Sequence, residues 1–237
     1  DAGATNSGGA ASFVANNLKI NTFGGKIVIQ QGSLGNSFQG GILLTGTSLN
    51  ARTLLNVLNG PIELSLNPNN NGQGIKLDNS KIDAGSCILN GIGSDGIDCN
   101  QSVINADASI HAIGTAKANN KPGINLVNSR FFSTRAGDIS LNGQAVDSSG
   151  LGISLSSFNP PSIDDSTFID TENGSITLNS FIGSIKLDDA TVFCGGSGVV
   201  TVNSQQDCSL LSSRENSTCT MTVMSCIADF TIGRDLT

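Results

Sequence analysis

Apolar and polar residues alternate in short bursts along this chain. In Ile75-Lys76-Leu77-Asp78, as in most of them, a glycine opens the burst and Asn, Asp, Ser or Gly closes it. Residues two apart share one face of an extended strand, so each burst predicts a short strand with a single apolar face. The bursts are copies of one another. GIKLDNSKI (Gly74 to Ile82) returns as GINLVNSRF (Gly123 to Phe131), with a looser copy, GIDCNQSVI, from Gly96 to Ile104. Similar starts fall at Ile27, Ile42, Ile62, Ile75, Ile97, Ile124, Ile139, Ile153, Ile176, Ile185 and Val199. Most gaps are near 14 or 22 residues, and one is of nine, from Ile176 to Ile185.

A two-residue apolar stripe cannot form a core by itself and needs a like strand stacked upon it. Sandwich strands of about five or six residues joined by hairpins, and propeller blades of about 40 residues, both fit this pattern poorly. The pattern predicts an all-β solenoid, a parallel β-helix of roughly ten coils of about 20 to 25 residues, forming a rod roughly 45 to 50 Å long. The Asn-Ser pairs after the strands (Asn79-Ser80, Asn128-Ser129) suit turns and, stacked, a polar ladder facing inward or outward. No convincing helical periodicity occurs; Leu49 to Leu58 is the nearest candidate, as a short helix or cap. Residues 1–203 read as the repeats. Residues 204–237, where the Gly-Ile pattern gives way to denser alternation, read as a Cys-rich cap or recognition module.

The composition is acidic, with net charge -7, and only 13% of residues are charged. That disfavours nucleic acid, which requires basic residues to displace phosphate counterions, and anionic membranes, which require a basic surface. No apolar run approaches the length of a membrane-spanning helix, so membrane insertion is not expected. The chain opens on Asp1 and reads as a processed product or a segment of something longer. Trp and Tyr are absent and Phe numbers ten; these phenylalanines read as core stacks, and the lack of Trp and Tyr weakens a sugar-stacking site.

Six cysteines (Cys87, Cys99, Cys194, Cys208, Cys219 and Cys226) suggest three disulfides and a location outside the cytoplasm. Pairing of sequence neighbours is the most economical arrangement: Cys87 with Cys99, Cys194 with Cys208, and Cys219 with Cys226. Each would close a short loop, and four of the six would staple the C-terminal cap. No CxxC pair supports zinc, and no metal or cofactor is expected.

Candidate chemistry is sparse. The carboxylate pairs Asp164-Asp165 and Asp188-Asp189, with Asp170 and Glu172 nearby, are the sites to test for polysaccharide cleavage. Neighbours in a strand point to opposite faces, and both pairs occupy the place of the Asn-Ser turns, so they read as turn residues. The one histidine, His111, has apolar neighbours like an ordinary strand residue. No nucleophile elbow, zincin motif or phosphate loop is present. Gly91 to Asp98 touches on a calcium-binding nonapeptide but occurs once. Lys117, Lys121, Arg130 and Arg135 form the one local basic cluster, beside Asn119 and Asn120, within the long gap from Ile97 to Ile124. An enlarged coil with a protruding loop over residues 112–123 is the first candidate contact surface, because rigid scaffolds act through their loops. Asn67 to Gly74 is the second.

The Gly-x-Ile-x-Leu-x-[Gly/Asn/Asp] units, as in Gly137 to Gly143 and Gly183 to Thr191, resemble the repeats of filamentous-haemagglutinin-type exoproteins, large bacterial adhesins exported by two-partner secretion. The resemblance covers roughly residues 20–203. It implies a right-handed parallel β-helix, secreted or displayed at the cell surface, that binds a protein or glycan receptor on a host or neighbouring bacterial cell. Such exoproteins are usually poor in cysteine, so the six here suggest a specialised segment of an adhesin or of a contact-dependent growth inhibition effector. The resulting expectation is a non-enzymatic receptor-binding segment, with Lys117, Asn119, Asn120, Lys121, Arg130 and Arg135 as the contact residues. A secreted polysaccharide lyase or hydrolase is the alternative.

Overall fold

The computed structural model describes residues 13–30, 40–53, 59–66, 70, 72–158, 166–188, 190–194, 198–204, 208–211, 220–225 and 230–232; side chains are described up to residue 204, except those of Thr191 and Phe193. These residues form 24 strands and no helix. The strands build three parallel sheets of nine, seven and eight strands, each pairing with the strand one coil before and one coil after it. The chain is a parallel β-helix, as the repeats predicted. Nine strands in the first sheet, at about 4.8 Å each, span roughly 40 Å along the axis.

The uneven spacing of the Gly-Ile bursts has a simple origin: they belong to two different sheets. Ile42, Ile75, Ile97, Ile124, Ile153 and Ile185 stack in register in the first sheet. Ile27, Ile62, Ile139, Ile176 and Val200 belong to a column of the third. That column is completed by Cys87 and Ile110, which stand between Ile62 and Ile139; Cys87 keeps the glycine two residues earlier (Gly85) but is not an isoleucine, and Ile110 has Ala108 in place of that glycine. The second sheet fills the third side with Leu49, Ile82, Ile104, Phe131 and Ile169, all almost fully buried.

The expected disulfide staples find no support among the described residues. Cys87 and Cys99 are fully buried thiols, not a disulfide. Cys87 takes an isoleucine place in the third sheet's column, between Ile62 and Ile110. Cys99 takes a leucine place in the first, between Leu77 and Leu126. Both act as small apolar core residues, and burial pushes the Cys87 thiol up to about 12 and the Cys99 thiol well above its ordinary value. Cys194 is buried in the second sheet. The Cys208 side chain, Cys219 and Cys226 lie outside the described residues. Past residue 204 the strands Cys208–Leu211 and Phe230–Ile232 extend the first sheet, and Thr220–Ser225 extends the third.

The Asn-Ser turns resolve into two jobs. At the corner from the first sheet to the second, one residue takes a left-handed conformation: Asn17, Gly46, Asn79, Gln101 and Asn128, with φ of 53, 56, 45, 47 and 46°. Asparagine tolerates that region and glycine has no Cβ to clash there. The next residue points inward. The backbone N–H of Thr47 donates to the Ser80 hydroxyl, that of Ser80 to Ser102, that of Ser102 to Ser129, and that of Ser129 to Thr167, at 3.1–3.3 Å. The Ser80, Ser102 and Ser129 hydroxyls in turn donate to the carbonyls of Asp78, Asn100 and Val127. The rungs are 33, 22, 27 and 38 residues apart in sequence, so added residues go into corners and leave the ladder in register. At the following coil Ala190 is buried; it brings no hydroxyl, and the ladder stops.

Leu49, the start of the possible helix, lies in the strand Ser48–Asn50 and is fully buried. Residues 54–58 of that segment lie outside the described residues.

Candidate functional site on the second sheet

The strands Lys81–Ala84, Val103–Ala106, Arg130–Ser133 and Phe168–Thr171 pair in register on the second sheet. Their second residues point inward, and their first and third residues build the outer face. Lower on the rod this face is polar: Lys81 pairs with Asp83 at 3.0 Å, and the Asn105 amide donates to Asp83 at 2.8 Å. Higher up its character changes. Arg130 and Phe168 are register neighbours, as are Phe132 and Asp170. The Arg130 guanidinium lies over the Phe132 ring, 5.0 Å from its centre, and reaches the Asp170 carboxylate at 3.4 Å. Phe132 and Phe168 are only partly buried, although both lie on the outer face.

Arg130 is the hinge of this cluster. Stacking on an aromatic face holds the planar guanidinium still, and Asp170 fixes its other side. Partial burial pushes the Asp170 carboxyl up, against the Arg130 charge that pulls it down, and Glu172 adds to the upward push. Glu172 is itself tied to the corner, accepting from the Arg135 backbone N–H at 3.0 Å. The result is an apolar, rigid platform with one guanidinium and two carboxylates at its edge.

The six expected contact residues do not share one surface. Lys117, Asn119, Asn120 and Lys121 lie on the corner after the strand Ile110–Ala116, which itself takes up residues 112–116 of the supposed loop over residues 112–123. Lys121 pairs there with Asp95 at 3.1 Å. Arg130 belongs to the second sheet's outer face, and Arg135 to the corner beyond it, with φ 62°. In the second candidate surface Asn70 is fully buried and donates to the carbonyls of Gln73 and Ile92, closing the corner. Residues 67–69 and 71 lie outside the described residues.

Most of the described phenylalanine side chains are not core stacks. Among the described side chains Phe131 alone is fully buried, and Phe13 packs partly against the core. Phe23, Phe158 and Phe181 are 71%, 72% and 52% exposed. The signal that sequence reading passed over is in Arg130-Phe131-Phe132: two adjacent phenylalanines in a strand must face opposite ways.

The described candidate carboxylates, Asp170, Glu172 and Asp188, all have partners. Asp188 pairs with Lys186 at 3.0 Å. Asp164, Asp165 and Asp189 lie outside the described residues. In the stretch Gly91 to Asp98, Asp95 pairs with Lys121, and Asp98 accepts from the Asn125 amide at 2.9 Å. Among the described residues no group of three or more His, Cys, Asp or Glu is placed to hold a metal ion. His111 is exposed on the outer face of the third sheet, beside Ile88 and Ser140. No family model matches the chain, and neither a curated protein nor a solved structure matches it.

Proposed function

We propose that this chain is a non-enzymatic receptor-binding segment of a secreted or surface-displayed bacterial exoprotein of the filamentous-haemagglutinin type. It acts outside the cytoplasm on a receptor of a host or neighbouring bacterial cell, without cofactor, nucleic acid or membrane insertion. One observation carries the reading: Phe132 and Phe168 stand together on the outer face of the second sheet, with the Arg130 guanidinium stacked on Phe132 and held by Asp170. Aromatic and arginine side chains held rigidly on a surface are the usual anchors of a binding interface, since little freedom is lost when a partner arrives. The compartment now rests on the exoprotein resemblance more than on disulfides, because Cys87 and Cys99 are thiols.

The test is binding of the labelled chain to intact epithelial and bacterial cells by flow cytometry. Saturable binding is expected, and the double variant F132A/F168A should lose at least tenfold in apparent affinity while its melting temperature stays within a few degrees. Binding that ignores both substitutions would remove this face as the receptor site. A polysaccharide-cleaving enzyme is favoured by one feature, the raised Asp170 carboxyl next to Glu172. Turnover of an acidic polysaccharide that Asp170→Asn abolishes would replace the adhesin reading.

A further inference from the structure

The outer face of the third sheet changes along the rod, and the strands of its upper part bring no charged residue to it; the carboxylate at its edge, Asp138, accepts from the Ser175 N–H at 2.7 Å. Three register-matched strands build that part: Ile139–Gln144, Ile176–Ile182 and Val199–Ser204. Their outward residues form two columns parallel to the axis. Ser140, Thr177 and Thr201 make a hydroxyl column; Asn142, Asn179 and Asn203 make an amide column. The amides are locked: Asn203 donates to Asn179, and Asn179 to Asn142, each at 2.8 Å, while Asn142 donates to the Ser140 hydroxyl at 3.0 Å.

The rows end at an aromatic. The pairing of Ile139–Gln144 with Ile176–Ile182 slips after Gly143, where Ser180 is followed by the unpaired Phe181 before Gln144 meets Ile182. A bulge of this kind re-aims a side chain. Strand alternation puts Phe181 on the same outer face as Thr177 and Asn179, and it stands 52% exposed. Nothing in core packing calls for an exposed phenylalanine there.

We infer that this face binds a neutral, repeating glycan laid lengthwise along the rod, with a pyranose ring on Phe181 and sugar hydroxyls on the Thr and Asn columns. The strands of this face bring no cation to hold an anionic partner, and Asp138 at its edge would repel one, so the face selects an uncharged partner. Sugar hydroxyls match it as both donors and acceptors. The columns repeat every ~4.8 Å, close to the length of one sugar unit, so successive coils meet successive sugars. The locked amides lose little freedom on binding. A flat ice lattice is the other regular hydroxyl partner, and Phe181 standing proud of the columns argues against it. This site is separate from the Arg130 platform, and either can fail without the other.

Affinity electrophoresis of the purified chain through gels containing hydroxyethyl cellulose, dextran, galactomannan, yeast mannan or a mixed-linkage glucan tests the inference, with alginate and polygalacturonate as anionic controls. At least one neutral polymer should retard the chain, unchanged by a tenfold rise in salt. Phe181→Ala and the double variant T177V/T201V should each weaken retardation at least tenfold, and F132A/F168A should not. Absence of retardation by every neutral polymer would overturn the inference. So would retardation by the anionic polymers alone, by wild type and variants equally, or inhibition of ice recrystallisation without glycan binding. Far-ultraviolet circular dichroism of each variant verifies that the β-helix persists.

Discussion

Phe131 and Phe132 are adjacent in the chain and stand on opposite sides of the second sheet. Phe131 is fully buried between Ile104 and Ile169, whereas Phe132 faces outward under the Arg130 guanidinium. One supports the rod, and the other is available to a partner. Phe131→Ala should therefore cost about 3–5 kcal/mol of stability by opening a cavity. Phe132→Ala should cost less than about 1 kcal/mol. Urea denaturation of the two variants separates the roles, and equal losses would contradict them.

The ladder makes a second prediction. Ser102 is fully buried, accepts from the Ser80 N–H and donates to the Asn100 carbonyl. Ser102→Ala leaves the Ser80 N–H without that acceptor in the core and should cost about 1–3 kcal/mol. Asn79→Gly, at φ 45° on the same corner, should be close to neutral, while a β-branched residue there should destabilise clearly. Thermal melts of S102A, N79G and N79V give the order.

The two core thiols make a third. Burial holds the Cys87 pKa at about 12 and the Cys99 pKa well above its ordinary value, so at pH 8 neither forms appreciable thiolate. Iodoacetamide should leave both unmodified in the native chain and label both in 8 M urea without reductant. Peptide mass spectrometry reads this directly. A Cys87–Cys99 disulfide in the non-reduced digest would contradict the structure.

The fourth concerns pH. The Asp170 carboxyl is raised in the folded chain, so the folded state binds its proton more tightly than the unfolded state does. Its contribution to stability is greatest at low pH and declines as pH rises from the ordinary carboxylate value through the raised one. Glu63 behaves oppositely: hydrogen bonds from Lys26 and Ser65 lower its pKa, and its contribution is lost as pH falls through that lowered value. Melting temperatures from pH 3 to 8 should show the Asp170 decline in the wild type and not in Asp170→Asn.

The fifth is a packing limit. Gly114 lies so close to the Gly123 carbonyl, where the third sheet turns back to the first, that a Cβ would overlap that oxygen. Gly114→Val should abolish soluble expression or lower the melting temperature by more than ten degrees, whereas Lys117→Ala on the same corner should leave it unchanged within about one or two degrees. Expression trials and melts decide.

The stacking architecture was legible because short-range alternation and self-similarity carry it: Ile75, Leu77 and Ile82 declare their faces within nine residues. The number of sheets was harder to see. In the third sheet Cys87 stands where the others have Ile or Val, and Ile110 follows Ala108-Ser109 where the others follow Gly-x, so the Gly-Ile spacing missed both coils and mixed two columns into one irregular series. The expected Cys87–Cys99 pairing fails because sequence proximity says nothing of which face a residue takes. Cys87 and Cys99 lie on different sheets, each filling a gap left by an aliphatic side chain. The Arg130 platform was half legible. Charge clustering drew attention to Arg130, but its aromatic support comes from Phe132 and its partner Asp170 lies 40 residues away, at a register no local pattern reveals.

Eleven residues separate the strands Leu151–Ser156 and Phe168–Thr171, at a corner where the other coils have two, and the Ser129 N–H still finds the Thr167 hydroxyl. The Asn128 amide secures the departure, donating to the Phe158 carbonyl and accepting from its N–H. A corner of this kind tolerates a change of length. New sequence can be spliced in, tried and discarded by evolution or by an engineer while the coils above and below keep their registration, so this protein can diversify what it displays without renegotiating how it folds.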